Sequence, residues 1–333
     1  MVRKTRAHRT STSTSTPAFD SERFHSEKRQ KNFEKLYIFR SVWAERKVIL
    51  DELDPEIHRN FESRGWLPLL DISHPPSAVL IREFYSNLSV HSISSNIQFE
   101  KSWIRGEEYV ITPQVVAFAL GVPLIQQPVY PYDKDPSLDE IMSHITSISI
   151  RWGSDPRITT HELTKLNDLF FRIACHSLWP VSHLHTISIE RCAFLYALVT
   201  NAPISFPTLF ICSLVEVHRS SSNSHGLLFP IFIHRILLHL GLEVLPASEP
   251  VHIIAPIGAT FLRQRATQLK ASSKHPRVES STGAASQPPT SSDPTTEEYV
   301  DPTVAVDPPP ISSSSDASLR SMLETFMTVQ AAQ

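Results

Sequence analysis

A change of composition near residue 270 most constrains how this chain can fold. From about Phe33 to Leu269, apolar residues recur at helical spacing. From Ala271 to Asp316 the chain consists mostly of Ser, Thr, Pro and acidic residues, which bury too little apolar surface to offset the entropy lost on ordering. We therefore predict a folded body with room for one large or two small domains, followed by a disordered tail.

The composition predicts four segments that differ in charge as well as in order. Residues 1–31 contain eight Lys/Arg against three Asp/Glu, whereas residues 271–333 contain three against eight. This asymmetry favours a polar partner at the head over a charged face on the body. The segments are a disordered, basic, Ser/Thr-rich head at 1–20, a helical domain at 21–270, a disordered, acidic Ser/Pro/Thr-rich tail at 271–315 and a short amphipathic helix at 316–333.

Glycine is scarce, with eight residues in 333, and its spacing excludes one class of site. Glycine-rich nucleotide loops need two or three glycines within about seven residues, because backbone N–H groups must approach the phosphates closely. No two glycines of this chain lie that close together. We therefore expect no P-loop, no Rossmann or kinase glycine loop, and no cofactor.

The cysteines indicate a reducing compartment. Cys175, Cys192 and Cys212 are odd in number, widely spaced and set among apolar residues, which is typical of buried, reduced thiols. The basic N-terminus lacks the apolar core of a signal peptide. The longest apolar run, residues 226–242, contains a His-Arg pair and is too short to span a bilayer. We expect an intracellular protein that is not secreted and has no membrane partner, and the choice between nucleus and cytoplasm stays open.

Boundary signals predict a mainly α, multi-helix globular domain with one small β-hairpin. Residues 88–112 show a strand pattern, with Arg105-Gly106-Glu107 as its tight turn. Thr112 caps a helix that has Pro113 in its first turn and Gly121 just past its end. Other helices are expected from Ser21 to Arg46, after Pro75-Pro76, after Ser137, after a Thr159–Glu162 capping box, after Ser188, from Pro207 and up to Gly241. The expected core residues are Trp66, Trp103, Phe170, Trp179 and Leu237, with Gly106 and Gly121 at special backbone positions.

The histidines and cysteines do not show the spacing of a metal or nucleophile site. No Cys-x2-Cys pair is present, and His234 and His239 lie five residues apart on an apolar helix. His183 and His185 fall in a loop. Cys175 and His176 are neighbours, but adjacent helical residues face different ways and cannot form a dyad. We predict no catalytic, cofactor-binding or metal-ligating residues.

Metal-dependent phosphoryl transfer would need two or three carboxylates together on a rigid scaffold, usually at strand ends. The candidate aspartates lie outside the strand pattern, and most fit helix caps or turns. These candidates are Asp51, Asp54, Asp71, Asp139, Asp155 and Asp168. We therefore expect that the protein is not an enzyme.

Two terminal segments are the candidate interaction sites. Residues 319, 322, 323, 326 and 327 form an apolar helical stripe, and an isolated helix of this length is marginal in water. It therefore needs a partner, by self-association or in a coiled coil, or it is a frayed end. The basic head could bind nucleic acid or act as a nuclear import signal, or it could simply be solvated. The residues are Leu319, Met322, Leu323 and Phe326 for interaction, and Arg3, Lys4, Arg6 and Arg9 for nucleic-acid contact.

Five stretches occur in the order RGW at 64–66, IREFYSNL at 81–88, WIRGEEYVITPQVVAFALGVP at 103–123, WPVSHLHTISIERCAFLYALVTNAPI at 179–204 and LLFPIFIHRILLHLGL at 227–242. Together they resemble the putative plant transposon protein domain family, found in retrotransposon-derived reading frames of flowering plants. The flanks, with Phe24, Glu45-Arg46 and the closing MLETFMTVQAAQ, are similar as well, so the resemblance spans most of residues 24–265. It implies a mobile-element origin but supplies no catalytic residues. In similar elements the terminal helix runs on into a coiled coil. Here it stops at Gln333, so the resemblance implies a reading frame that is truncated or divided.

Three hypotheses follow for function. The first is a non-enzymatic, retrotransposon-derived protein that acts through assembly or protein–protein contact, in the manner of a capsid-like or scaffold polypeptide. The second is a nucleic-acid-associated accessory protein that uses the basic N-terminal segment. The third is a divergent metal-dependent nuclease or transposase, which would need three carboxylates close to a common point.

Overall fold

Ten helices dominate the part of the chain that the computed structural model describes, which confirms the mainly α fold. The described residues are 18–273, apart from 73, 93–97, 133, 135, 148–157, 182–183, 221–225 and 244–248. The helices are α1 (Glu27–Lys35), α2 (Pro55–Ser63), α3 (Ala78–Asn87), α4 (Pro113–Leu120), α5 (Leu138–Ile145), α6 (Lys165–Ile173), α7 (Ile189–Val199), α8 (Phe206–Arg219), α9 (Pro230–His239) and α10 (Ala259–Ser273).

Local boundary chemistry sets the ends of α4 and α5 where the sequence predicts them. The Thr112 hydroxyl accepts the N–H of Val115 at 3.2 Å, and Gly121 ends α4 with φ +69°. This left-handed conformation favours glycine, which has no Cβ to clash. At α5, the Ser137 hydroxyl accepts the N–H of Glu140 at 3.2 Å.

The predicted helix from Ser21 to Arg46 is wrong after α1. The helix ends at Lys35, a 3-10 turn follows at Tyr37–Phe39, and the chain then runs extended. The extended part forms parallel bridges to distant segments, with the N–H of Trp43 donating to Leu227 and that of Ile49 to Ile257, each at 2.9 Å. These long-range main-chain bonds outweigh the local helical periodicity.

The predicted Thr159–Glu162 capping box is also wrong as a helix start. The Glu162 carboxylate does accept the hydroxyl of Thr159 at 3.1 Å. Thr159 itself belongs to β4 (Ile158–Thr159), which pairs antiparallel with β5 (Thr186–Ile187). Strand pairing fixes Thr159 in an extended conformation, and α6 instead begins after Thr164, whose hydroxyl accepts the N–H of Asn167 at 3.1 Å.

The larger sheet has one strand more than the predicted hairpin. It contains β1 (Ser89–Ser92), β2 (Gln98–Ile104) and β3 (Glu107–Ile111), which pair antiparallel in that order. The predicted turn is confirmed: Arg105 and Gly106 both have positive φ, +51° and +84°, as a two-residue hairpin turn with the twist of the strands requires. The sheet lies against α3 and α8.

Aromatic side chains fill the core around α8 and α9. The Trp66 ring meets the Phe206 ring edge-on at 6.0 Å, and Phe206 continues to Phe232 at 5.8 Å. The predicted core residues Trp66, Phe170, Trp179 and Leu237 are buried. The prediction is wrong for Trp103, which is only half-buried, because strand alternation turns its neighbours Ser102 and Ile104 inward instead. No helix in the described ranges combines the length and apolar character that a bilayer crossing needs.

Candidate functional site

The eight terminal residues predicted to make contacts lie outside the described residues, so their roles stay predictions. They are Arg3, Lys4, Arg6, Arg9, Leu319, Met322, Leu323 and Phe326.

All three thiols are buried, as predicted, and no disulfide joins them. Burial raises the pKa of Cys192 to about 12, and the carboxylates of Glu190 and Glu162 add to the rise. Burial also raises the pKa of Cys212, and the charge of Glu100 makes the next largest contribution to the rise. A thiol that stays protonated near neutral pH is a poor nucleophile and a poor metal ligand.

Histidines and carboxylates are scattered rather than gathered. Among the described residues, no group of three or more His, Cys, Asp or Glu side chains could hold a metal ion. Burial lowers the pKa of His234, in the middle of α9. The ring of His239, the last residue of α9, lies 5.0 Å from the ring of Phe118 on α4. His185 is exposed, and His183 lies outside the described residues.

The described aspartates already have structural contacts or lie in helical turns. Asp54 caps α2 by accepting the N–H of Glu56 at 2.9 Å. Asp168 binds Arg172 at 3.1 Å and Arg265 at 3.4 Å. Asp71 pairs with Lys47 at 3.1 Å, Asp51 lies in a 3-10 turn, Asp139 lies in the first turn of α5, and Asp155 falls outside the described residues.

A small apolar cleft beside a π-helical segment, Ala174–Leu178, offers no acid–base pair. The cleft is lined by Phe171, Ala174, Cys175, Trp179, Arg191, Phe194 and Leu195. Its one cation, the Arg191 guanidinium, lies over the Trp179 ring at 4.6 Å. The lining contains neither histidine nor carboxylate, the side chains that most often transfer protons in enzymes.

Arg64 ties α2 to the C-terminal end of α7. Its guanidinium donates to the carbonyls of Ala197, Leu198 and Ala202 at 2.8–2.9 Å, and it lies over the Trp66 ring at 5.1 Å. Burial lowers its pKa to about 10, so it stays charged near neutral pH. A cation at the end of a helix satisfies the last carbonyls, which lack partners within the helix.

Glu45 performs the opposite task at the N-terminus of α9. Phe229, the residue just before α9, makes no side-chain hydrogen bond to the helix and adopts φ +56°. The buried Glu45 carboxylate accepts the N–H groups of Ile231 at 3.1 Å and Phe232 at 2.8 Å. Burial raises its pKa to about 7, although these N–H groups and Arg235 oppose the rise.

Glu100 is a second buried acid, on the middle strand of the larger sheet. Neither carboxylate oxygen has a hydrogen-bond partner among the residues that the structure describes. Burial raises its pKa to about 9, opposed by the positive charge of Arg219. The carboxyl group is therefore largely neutral near pH 7, and it is a poor candidate for a metal ligand or a general base.

Two of the exposed apolar side chains are phenylalanines with most of their surface in contact with solvent. Phe118, on α4, is 78% exposed, and Phe39, in the 3-10 turn after α1, is 71% exposed. The sequence analysis singled out neither residue. Each lies inside a predicted helix, at a position for which no contact was predicted.

Basic groups converge near the second of these phenylalanines. His218, close to the end of α8, lies 3.5 Å from the Tyr37 hydroxyl. Burial lowers its pKa to about 4, and the positive charges of Arg29, Arg219 and Arg40 contribute. Arg29, Arg40 and Arg219 therefore bring positive charge close to the junction of α1, the 3-10 turn and α8.

A family model described as "Putative plant retrotransposon-related domain" matches residues 62–243, more than half of the chain. The chain belongs to this family. No curated protein and no solved structure matches the chain. The match confirms the resemblance found in the sequence and a mobile-element origin. The retrotransposon-related domain runs from the end of α2 to just past α9 and includes the larger sheet.

Several stretches that carry the family resemblance hold the fold together. RGW supplies the Arg64 contact with α7, and IREFYSNL supplies Tyr85, whose hydroxyl donates to the Leu228 carbonyl at 2.9 Å. Glu45 lies before the matched residues but caps a helix of the retrotransposon-related domain. These residues lie in the stretches and flanks that carry the family resemblance. Their structural roles are not predictable from the sequence, because their partners are far away along the chain.

Proposed function

We propose that this retrotransposon-related protein is non-enzymatic and works through assembly or protein–protein contact. The observation that carries the proposal is Phe118, an aromatic side chain on α4 that is left 78% exposed. Exposed apolar side chains of this size are typical anchors of protein contacts. The apolar stripe at residues 319–326 is the natural second element, because such a short helix needs a partner.

The placement of the chemically active groups agrees with this proposal. Cys192 and Cys212 are buried, Asp54 and Asp168 make structural contacts, and Glu45 caps a helix. An enzyme of the phosphoryl-transfer class would instead bring carboxylates together around a metal ion. The third hypothesis, a metal-dependent nuclease, is therefore not proposed.

Light scattering coupled to size-exclusion chromatography tests the assembly proposal. The full chain is compared with a chain that ends at Ser273, the last residue of α10. We expect a defined oligomer from the full chain and a smaller species from the truncated one. A monodisperse full-length monomer at high micromolar concentration would sink the proposal.

Substitutions within the full chain then locate the contact. Replacing Leu323 and Phe326 together by Ser should dissociate the oligomer, because it removes two of the five apolar residues of the stripe. The matched control replaces Ser321 and Thr325 by Ala, since at helical spacing these positions fall on the opposite face. Phe118→Ser tests whether the domain itself contributes.

The second candidate is nucleic-acid contact through the basic head. It is favoured by Arg29, Arg40 and Arg219, whose positive charges act on His218 beside the turn that follows α1. Binding should weaken steeply between low and moderate salt, because phosphate contacts release counterions. A chain that lacks residues 1–17 should bind much less. Equal binding with and without these residues would contradict a role for the head.

A further inference from the structure

Three lysines share one exposed face of α1. Lys28, Lys31 and Lys35 recur at i, i+3 and i+7, and all three are exposed. Glu27 lies 3.6 Å from Lys31 as an exposed pair, which contributes little to stability. Glu34 accepts a hydrogen bond from a neighbouring glutamine. The face therefore presents a row of ammonium groups to solvent with a small net positive charge.

The 3-10 turn directly after these lysines presents apolar side chains. Phe39 is 71% exposed and Ile38 is 44% exposed, whereas Tyr37 in the same turn is 3% exposed. Tyr37 anchors the turn, because its ring lies 5.6 Å from the Arg40 guanidinium and its hydroxyl contacts His218. The Phe39 ring is thus held on a fixed turn, four residues after the last lysine.

Positive charge also lies behind this turn. The Arg40 guanidinium is buried and donates to the Val217 carbonyl at 3.3 Å. Arg29 is half-buried and donates to the Ser86 carbonyl at 3.3 Å, and Arg219 is exposed at the end of α8. These fixed cations raise the potential over the turn, so an anion that contacts the lysines is attracted by all of them.

We propose that Lys28, Lys31, Lys35, Ile38 and Phe39, here called the α1 surface, bind single-stranded nucleic acid. The lysines contact phosphates, and the Phe39 ring stacks on an unpaired base. Basic grooves with aromatic stacking residues are the usual means of holding a single strand without sequence preference. An apolar protein partner would leave the ammonium groups without counterparts. The inference rests on the second candidate function, since the head precedes α1 and adds its own positive charge.

Fluorescence anisotropy with the full chain tests this inference. The probe is a labelled oligouridylate of about 20 nucleotides, longer than the site of one small binding domain, titrated between about 50 and 200 mM KCl. Phe39→Ala should weaken binding at least about fivefold, the smallest loss expected for one stacked base. The salt dependence should stay unchanged, because no phosphate contact is lost.

Replacing Lys31 and Lys35 together by Gln should, unlike Phe39→Ala, change the salt dependence of binding. Two fewer phosphate contacts should reduce the slope of log K against log salt by about 1.4 for a single strand. Val129→Ala is the matched control, because it shortens an apolar side chain that is 47% exposed and lies outside the α1 surface and the proposed assembly contacts, so it should leave both affinity and slope unchanged. Phe39→Tyr keeps an aromatic ring and should bind like the wild type.

The possible failures are distinguishable. If the full chain does not bind at low salt, both the α1 surface and the second candidate function are wrong. If removing residues 1–17 abolishes binding while Phe39→Ala has no effect, the head binds and the α1 surface does not. A loss with Phe39→Ala that is equal on a duplex of the same length would rule out stacking. A change of oligomeric state on Phe39→Ala would make the turn a protein contact instead.

Discussion

Two buried acids, Glu45 beneath α9 and Glu100 on β2, have similar burial but opposite surroundings. The Glu45 carboxylate receives two backbone N–H groups from the first turn of α9, whereas neither oxygen of Glu100 has a partner among the described residues. The pKa rises to about 7 at the first and about 9 at the second. The comparison shows that burial decides the direction of the shift, and that local donors decide how far the group can stay charged.

The largest effect is expected from removing the acid that has partners. Glu45→Ala leaves two N–H groups at the start of α9 buried without acceptors, and Phe229 cannot replace them. We expect a loss of about 2–5 kcal/mol in the free energy of unfolding, measured by urea denaturation. Glu45→Gln keeps the volume and one good acceptor, so it should lose less. An Ala variant as stable as the wild type would show that the cap contributes nothing.

The free energy of unfolding, measured as a function of pH, should report the ionisation of both Glu45 and Glu100. Each pKa is raised above its value in the unfolded chain, so each group favours folding while protonated, and this contribution is lost as the pH rises through the folded pKa. For Glu45 the loss falls between about pH 4.5 and 7, and for Glu100 between about pH 4.5 and 9. Above pH 7, stability should fall by about 1 kcal/mol per pH unit through Glu100.

The control for this titration is Glu100→Gln, which cannot ionise. Its stability curve should be flatter than that of the wild type between pH 7 and 9, as measured by urea denaturation at a series of pH values. Parallel curves would mean that Glu100 titrates in the ordinary range, and the contrast with Glu45 would then disappear.

A smaller effect, in this case a gain in stability, is expected from replacing Glu100 by an apolar side chain of similar length. Glu100→Met removes a buried polar group that has no described partner and fills its space with a flexible side chain. We expect the unfolding free energy at pH 7 to increase by about 1 kcal/mol. The matched change Glu45→Met should do the reverse, because it removes a satisfied acceptor. Destabilisation by both would indicate that Glu100 has a polar role.

The sequence predicts features of the fold that depend on near neighbours. Thr112, Gly121 and Ser137 set helix ends through bonds that span only a few residues, so their patterns are legible in the chain. The Glu45 cap is not predictable in this way, because Phe232 lies 187 positions further on. The same limit explains why the predicted helix extends past Lys35. Beyond that residue the chain is held by main-chain hydrogen bonds to Leu227 and Ile257, which a local pattern cannot show.

The candidate surfaces were harder to predict than the fold. The sequence identifies the basic head and the terminal stripe by composition, and both lie outside the described residues. Phe39 carries no such signal, because one aromatic residue inside a predicted helix does not by itself indicate a binding surface. Its exposure follows from the 3-10 turn, in which Tyr37 takes the inward position.

The smallest effect is expected from Glu100→Gln at pH 6. A carboxyl group with a pKa of about 9 is already neutral there, and glutamine has nearly the same shape and the same lack of charge. The change in unfolding free energy should stay within about 0.5 kcal/mol, the range of ordinary neutral substitutions. Glu45→Gln at the same pH should cost more, because the amide nitrogen cannot accept the second N–H of α9. Equal effects of the two substitutions would remove the distinction between the satisfied acid and the unsatisfied one.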